Sequence, residues 1–176
     1  GTDGITAFNS TGVTMGGNTG TNENSTTFVV WSWLANGTGS SNTDGSITST
    51  VSVNSTSKMS VVTFTGNGTS GTIGHGLGAV PKFIITKNLS AVGNWSTYHG
   101  SLGGTKTMYL DMTNASGTTS SPWNDTDPTS TVFSVGGGAY TNGSGNSIMA
   151  YCFAEVPGYS KFGSYTGNAD ADGTFV

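Results

Sequence analysis

Arginine is absent from this 176-residue chain, lysine occurs five times, and the formal net charge is −4. No basic stripe is present to neutralise a phosphate backbone, so nucleic acid is excluded as the expected partner. Cysteine is nearly absent too. The one thiol, Cys152, has no intrachain mate, and it sits in the apolar run Ser147-Ile148-Met149-Ala150-Tyr151-Cys152-Phe153, where an unpaired cysteine serves as a small core residue. The two histidines, His75 and His99, have neither a Cys pair nor a carboxylate at helical ligand spacing beside them and make no metal signature. No apolar run approaches the ~20 residues that a membrane span needs, and no stretch resembles a signal peptide. Because the first residue is Gly1 and not Met, the expectation is a chain processed, trimmed or excised from a longer one.

Catalytic constellations are missing as well. Serine is abundant, yet no Gly-x-Ser-x-Gly elbow is present to carry a triad nucleophile. The run Gly74-His75-Gly76-Leu77-Gly78 lacks the dinucleotide spacing, and no helix pattern follows it, so a tight turn before a strand is expected in place of a phosphate cradle. There His75 either caps backbone groups or lies exposed. The expectation is a protein that is not an enzyme.

What remains is a β-forming vocabulary. Charged residues are 8% of the chain and apolar residues 33%, while 29 glycines and many Ser, Thr and Asn separate short Val, Ile, Phe, Tyr and Trp clusters. Ile47, Ser49, Val51 and Val53 alternate with Ser46, Thr48, Thr50 and Ser52, and Met108, Leu110 and Met112 alternate with Thr107, Tyr109 and Asp111. Both patterns predict half-buried strands. Phe83-Ile84-Ile85 and Ile148–Phe153 are apolar on both faces and predict central strands. Gly66-Asn67-Gly68, Gly103-Gly104, Gly136-Gly137-Gly138 and Asn142-Gly143 supply turns. No helix is expected.

The sequence also repeats itself. Gly12-Val13-Thr14-Met15-Gly16 followed by Phe28-Val29-Val30-Trp31-Ser32-Trp33 is echoed, at a gapless offset of 120, by Val132-Phe133-Ser134-Val135-Gly136 followed by Ile148–Phe153. Trp31 and Trp33 are expected in the core or at a subunit seam. Thr63-Phe64-Thr65-Gly66-Asn67 is echoed by Ser164-Tyr165-Thr166-Gly167-Asn168 at an offset of 101. The layout this implies is the end of one unit (1–34), a linker strand region (35–57), a complete unit (58–156) and the opening of another (157–176). The fold class is all-β, a β-sandwich or jelly-roll-like module with partial repeat units at both ends. A severed strand exposes unpaired backbone and apolar surface unless neighbouring chains, further sequence or the other partial unit completes it.

The run from Gly74 to Asn88, with Pro81 ahead of Lys82-Phe83-Ile84-Ile85-Thr86-Lys87, resembles a signature of tail-fibre-like, repeat-containing virion proteins of marine tailed phages. Trp95-Ser96-Thr97-Tyr98-His99 and the run from Tyr151 to Asn168 extend the similarity over most of the chain from about residue 28. The resemblance implies fibre architecture or virion attachment. It points to homo-oligomers or other virion or fibre subunits as partners and to a virion or extracellular location.

Candidate sites follow from glycan recognition. Trp95, Tyr98 and Trp123 are the candidate platform for a sugar ring, against core packing as the plainer reading. Trp95 and Tyr98 are an odd number of positions apart, which puts them on opposite faces of a strand. Asp125 and Asp127 share one loop and are more often turn caps than Ca²⁺ ligands or an acid–nucleophile pair; calcium is the one cofactor considered. Asp170 and Asp172 repeat that pattern. Ten Asn-x-Ser/Thr triplets, among them Asn9, Asn36, Asn88 and Asn114, reflect composition in a phage protein and would be glycan acceptors on a secreted fibre. Three functions remain open: a structural or adhesive fibre or tail-associated virion protein, with a host-surface glycan as its candidate ligand; a carbohydrate-binding or glycan-hydrolysing module; and a secreted filament built by strand complementation.

Overall fold

The computed structural model describes residues 4–174. The chain divides into two compact units, the first reaching Trp33 and the second starting at Leu34. In the first unit β1 (Ile5–Asn9) and β2 (Gly12–Met15) form an antiparallel hairpin, and a one-turn helix, α1 (Thr19–Asn22), follows. The Asn18 side chain caps that turn by accepting the Gly20 N–H at 2.8 Å. From residue 26 to residue 36 the chain carries no regular secondary structure.

The second unit is built on one large antiparallel sheet. Its strands are β3 (Ser40–Asn42), β4 (Ser49–Asn54), β5 (Met59–Thr65), β7 (Phe83–Asn88), β8 (Ser96–His99), β9 (Lys106–Tyr109), β10 (Gly117–Thr118) and β12 (Ser147–Phe153). They lie in the order β10-β9-β8-β7-β12-β5-β4-β3, so the last strand enters the middle, between β5 and β7. A two-stranded sheet of β6 (Gly71–Gly74) and β11 (Val132–Val135) contributes Ile73, Phe133 and Val135 to the same core. A second one-turn helix, α2 (Ala139–Asn142), links β11 to β12. The protein is all-β and sandwich-like.

The alternation of β12 explains its place. Ile148, Ala150 and Cys152 are fully buried, whereas Met149, Tyr151 and Phe153 point to the half-buried face. Phe64 meets Phe133 edge-on at 6.4 Å across the core. On the other face Phe83, Phe153 and Phe162 cluster, with Phe83 and Phe162 stacked at 5.7 Å. Each fully buried Ile or Phe contributes about 2–3 kcal/mol relative to exposure.

The segment 35–57, expected as a linker strand region, supplies β3 and β4, and Thr50, Val51 and Ser52 pair with Thr63, Val62 and Val61. Elsewhere the structure differs from the sequence expectations at three places. The strand expected through Met112 ends at Tyr109, since the chain turns at Leu110 and the Asp111 carboxylate accepts the Trp95 N–H at 3.0 Å; Leu110 and Met112 are exposed. Two helical turns form where none was expected. The aromatic segment Phe28–Trp33 is not a strand and not core: Trp31 is 79% exposed and Val29 77%, and among the described residues no strand lies beside it.

The repeat is nevertheless built in three dimensions. At an offset of 120, β2 matches β11 and α1 matches α2. Asn22 Nδ2 donates to the Gly16 carbonyl at 2.8 Å, as Asn142 Nδ2 donates to the Gly136 carbonyl at 3.0 Å. Ser25 holds φ +63° where its counterpart Gly145 holds +73°, a region that favours glycine. In the second unit Asn142 does more. Its Nδ2 also donates to Asn67 Oδ1 and the Thr69 carbonyl, and its Oδ1 accepts the Asn67 N–H at 2.9 Å, which ties the β5–β6 turn to α2.

Asn142 is fully buried, so Asn142→Ala leaves the Asn67 N–H and two carbonyls without this partner. The expected loss is about 2–3 kcal/mol, read from urea unfolding, from the desolvation cost of the orphaned groups. Asn22→Ala, in an exposed position, shifts the same curve by less than about 0.5 kcal/mol.

Candidate functional site

The glycine-rich run that precedes β7 is a structural clamp. A Cβ on Gly74 would sit 1.7 Å from Asn42 Oδ1, and Gly76 and Gly78 hold φ +68° and +63°. His75 is fully buried between them. Its Nδ1 accepts the Leu77 N–H at 3.2 Å, and its Nε2 lies 3.2 Å from the Thr129 carbonyl, a pair of bonds that suits the neutral Nε2–H tautomer. Burial lowers the His75 pKa from its ordinary value, and the Thr129 carbonyl and the Asp44 charge partly offset that.

The aromatic residues expected as a sugar platform do not form one. Tyr98 is 4% exposed and Trp123 1%, and their rings meet edge-on at 5.9 Å inside the core. Trp95 is half-buried under the Lys87 ammonium, 5.4 Å from its ring, and among the described residues no ring contact joins it to the other two. The Asp125–Asp127 loop is structural in its contacts. Asp125 holds φ +50° in a turn, while Asp127 Oδ1 accepts the Gly104 N–H at 2.7 Å and the Tyr98 hydroxyl at 3.2 Å. Burial, then the Asp127 charge, push the Tyr98 phenol above its ordinary pKa. Among the described residues no group of three or more His, Cys, Asp or Glu side chains gathers where a metal ion could sit. Asp170 receives the Asp172 N–H in a turn of its own. His99, at the edge of β8, accepts the Ser101 N–H at 3.2 Å and packs against Phe83. Burial drives the Cys152 thiol up to about 12, with the Ser60 hydroxyl opposing, so the thiolate a nucleophile needs is withheld.

A concave site lies elsewhere, over β8, β9 and α2. A pocket of about 350 Å³ is lined by Ser96, Tyr109, Ser121, Pro122, Tyr140 and Thr141, with Thr119, Gly138 and Ala139. The Tyr140 ring lies over Gly93, where a Cβ would come within 2.4 Å of the ring. Tyr140 stays 41% exposed. The Ser96 and Thr141 hydroxyls and the Trp123 indole N–H are buried without a hydrogen-bond partner. Sequence reasoning missed this pocket, because its tyrosines come from β9 and from a helical turn that was not expected.

These features define an all-β repeat module with a small tyrosine-flanked depression. The whole chain, residues 1–176, matches the family model described as Domain of unknown function (DUF7483), and the chain belongs to that family. No curated protein and no solved structure matches it.

The buried neutral His75 makes stability depend on pH. The unfolded chain takes up a proton near the ordinary histidine value of about 6.5, before the folded chain does, so this contribution is complete above that pH. It falls as pH drops below about 6.5 and levels off below the folded pKa. Urea midpoints measured from pH 7.5 to pH 5 are expected to decline in the native chain and to decline less in His75→Gln.

Proposed function

We propose that the chain is a structural and adhesive module of a fibre or tail-associated appendage of a virion, one of a series of similar β units. A single observation carries this reading: the strand, helical turn and asparagine clasp of the second unit are rebuilt at an offset of 120 in the first. A chain that repeats part of a unit is organised for a series, since each repeat covers surface that its neighbour leaves open. Sparse charge, the resemblance of the run from Gly74 to Asn88 to tail-fibre-like proteins, and clamp residues used for structure support the same reading. Gold-labelled antibody raised against residues 34–176 is expected to decorate an appendage of intact particles under the electron microscope. Label confined to material free of particles would overturn the assignment.

A second reading concerns adhesion. The pocket beside Tyr140 offers an exposed aromatic ring, a second tyrosine and flanking hydroxyl residues, which suit one sugar unit of a host-surface glycan. On a glycan array the chain is expected to retain a small set of saccharides, and Tyr109→Ala to lower that retention at least ~10-fold, the effect of about 1.4 kcal/mol. Equal retention by both proteins removes the pocket from the adhesive role.

A further inference from the structure

We propose that the exposed segment 27–30 of one copy pairs with tail residues 163–166 of a second copy, in the register that β12 and β5 use inside the module. The inference rests on the reading of the chain as one of a series, and it names the partner and the bonds.

Both halves of the joint are already present in their repeat-specified form. The first unit carries the counterparts of β11, α2 and β12, and the tail carries the counterpart of the end of β5 and its turn. In the module the Asn67 carboxamide accepts the Thr69 N–H at 2.9 Å and Gly68 holds φ +75°. In the tail, at an offset of 101, Asn168 accepts the Asp170 N–H at 3.0 Å and Ala169 holds φ +58°. The tail turn therefore has the shape of the turn that Asn142 grips.

The register follows from the observed pairs. Ser147, Ile148, Met149 and Ala150 face Thr65, Phe64, Thr63 and Val62. Their counterparts place Thr27, Phe28, Val29 and Val30 opposite Thr166, Tyr165, Ser164 and Gly163. Phe28 against Tyr165 repeats the pairing of Ile148 with Phe64. Pairing starts at Gly163, because Phe162 is occupied by Phe83 and Phe153.

Two details favour this occupant over any other strand. A Cβ on Gly66 would stand 2.4 Å from the Gly143 carbonyl, so the joint needs glycine there; the tail keeps glycine at Gly167, where nothing lies within 4 Å. Asn22 uses its Nδ2 on Gly16 as Asn142 does on Gly136, and among the described residues nothing donates to its Oδ1, whereas Asn142 Oδ1 holds Asn67. Asn168 supplies the missing N–H. Phe28, Val29, Val30 and Tyr165, between 41% and 77% exposed, present the apolar surface that strand addition covers. A second copy fits the chain order: in the module the β5 turn precedes β12, and joining the tail of one copy to the opening segment of the next keeps that order.

The test uses the full 176-residue chain. Val29→Cys and Ser164→Cys are made separately, mixed and mildly oxidised, with Val92→Cys, fully exposed, replacing Ser164→Cys in the control; Cys152 is buried and stays in place. The proposal expects a covalent dimer in the matched mixture at least ~10-fold above the control, and a ladder of multiples from the chain carrying both substitutions. Gly167→Val, in open space, is expected to weaken concentration-dependent association in sedimentation without moving the urea midpoint. Dimer no more abundant than in the control, or a doubly substituted chain linked only to itself, overturns the proposal. Neither result bears on antibody labelling of particles, so the joint and the assignment to an appendage fail separately.

Discussion

Asn142 is the contact on which the arrangement of the second unit depends. A buried carboxamide has two donors and an oxygen to satisfy, and here they reach the Gly136 carbonyl that follows β11, the Thr69 carbonyl ahead of β6, and both backbone and side chain of Asn67 after β5. These points belong to two connections far apart in sequence, the β5–β6 turn and the link from β11 to α2. Fixing them together sets where β12 begins, and β12 then enters the large sheet between β5 and β7 with its small and branched residues inward. The core that follows, from Phe64 and Phe133 to Ile84 and Ile148, is a consequence of that placement.

Polar side chains do similar work elsewhere. Asn88 caps the turn after β7 by accepting two N–H groups and donates to the Ala139 carbonyl, while Asp127 ties Gly104 to Tyr98. In a chain with so few charges, buried amides and hydroxyls take the part that ion pairs have in other surfaces. They work at short range, they demand geometry, and they leave the module insensitive to salt compared with one held by exposed pairs.

Local patterns in the sequence were readable where a single strand decided the outcome. The double-sided apolar run at Ile148–Phe153 marked the strand with neighbours on both edges, whereas the odd spacing of Trp95 and Tyr98 decided nothing, because Trp95 lies just ahead of β8 and Ser96, Thr97 and Tyr98 are all buried. Both echoes were visible as strings of like residues. What lay beyond reach was set at long range. Trp123 is in a loop whose composition gives no sign of burial, and it is core because Tyr98 lies against it. Asp127 looked like a turn residue until Gly104 and Tyr98 were placed beside it. Phe28–Trp33 has a strand's composition without a strand's conformation, since an extended segment becomes a strand only when another supplies its hydrogen bonds.

The large sheet is closed off gently at its margins. Its outermost members are β3, three residues, and β10, two residues, so few free amides line either border. Sideways pairing of one large sheet with another therefore finds little backbone to hold on either side.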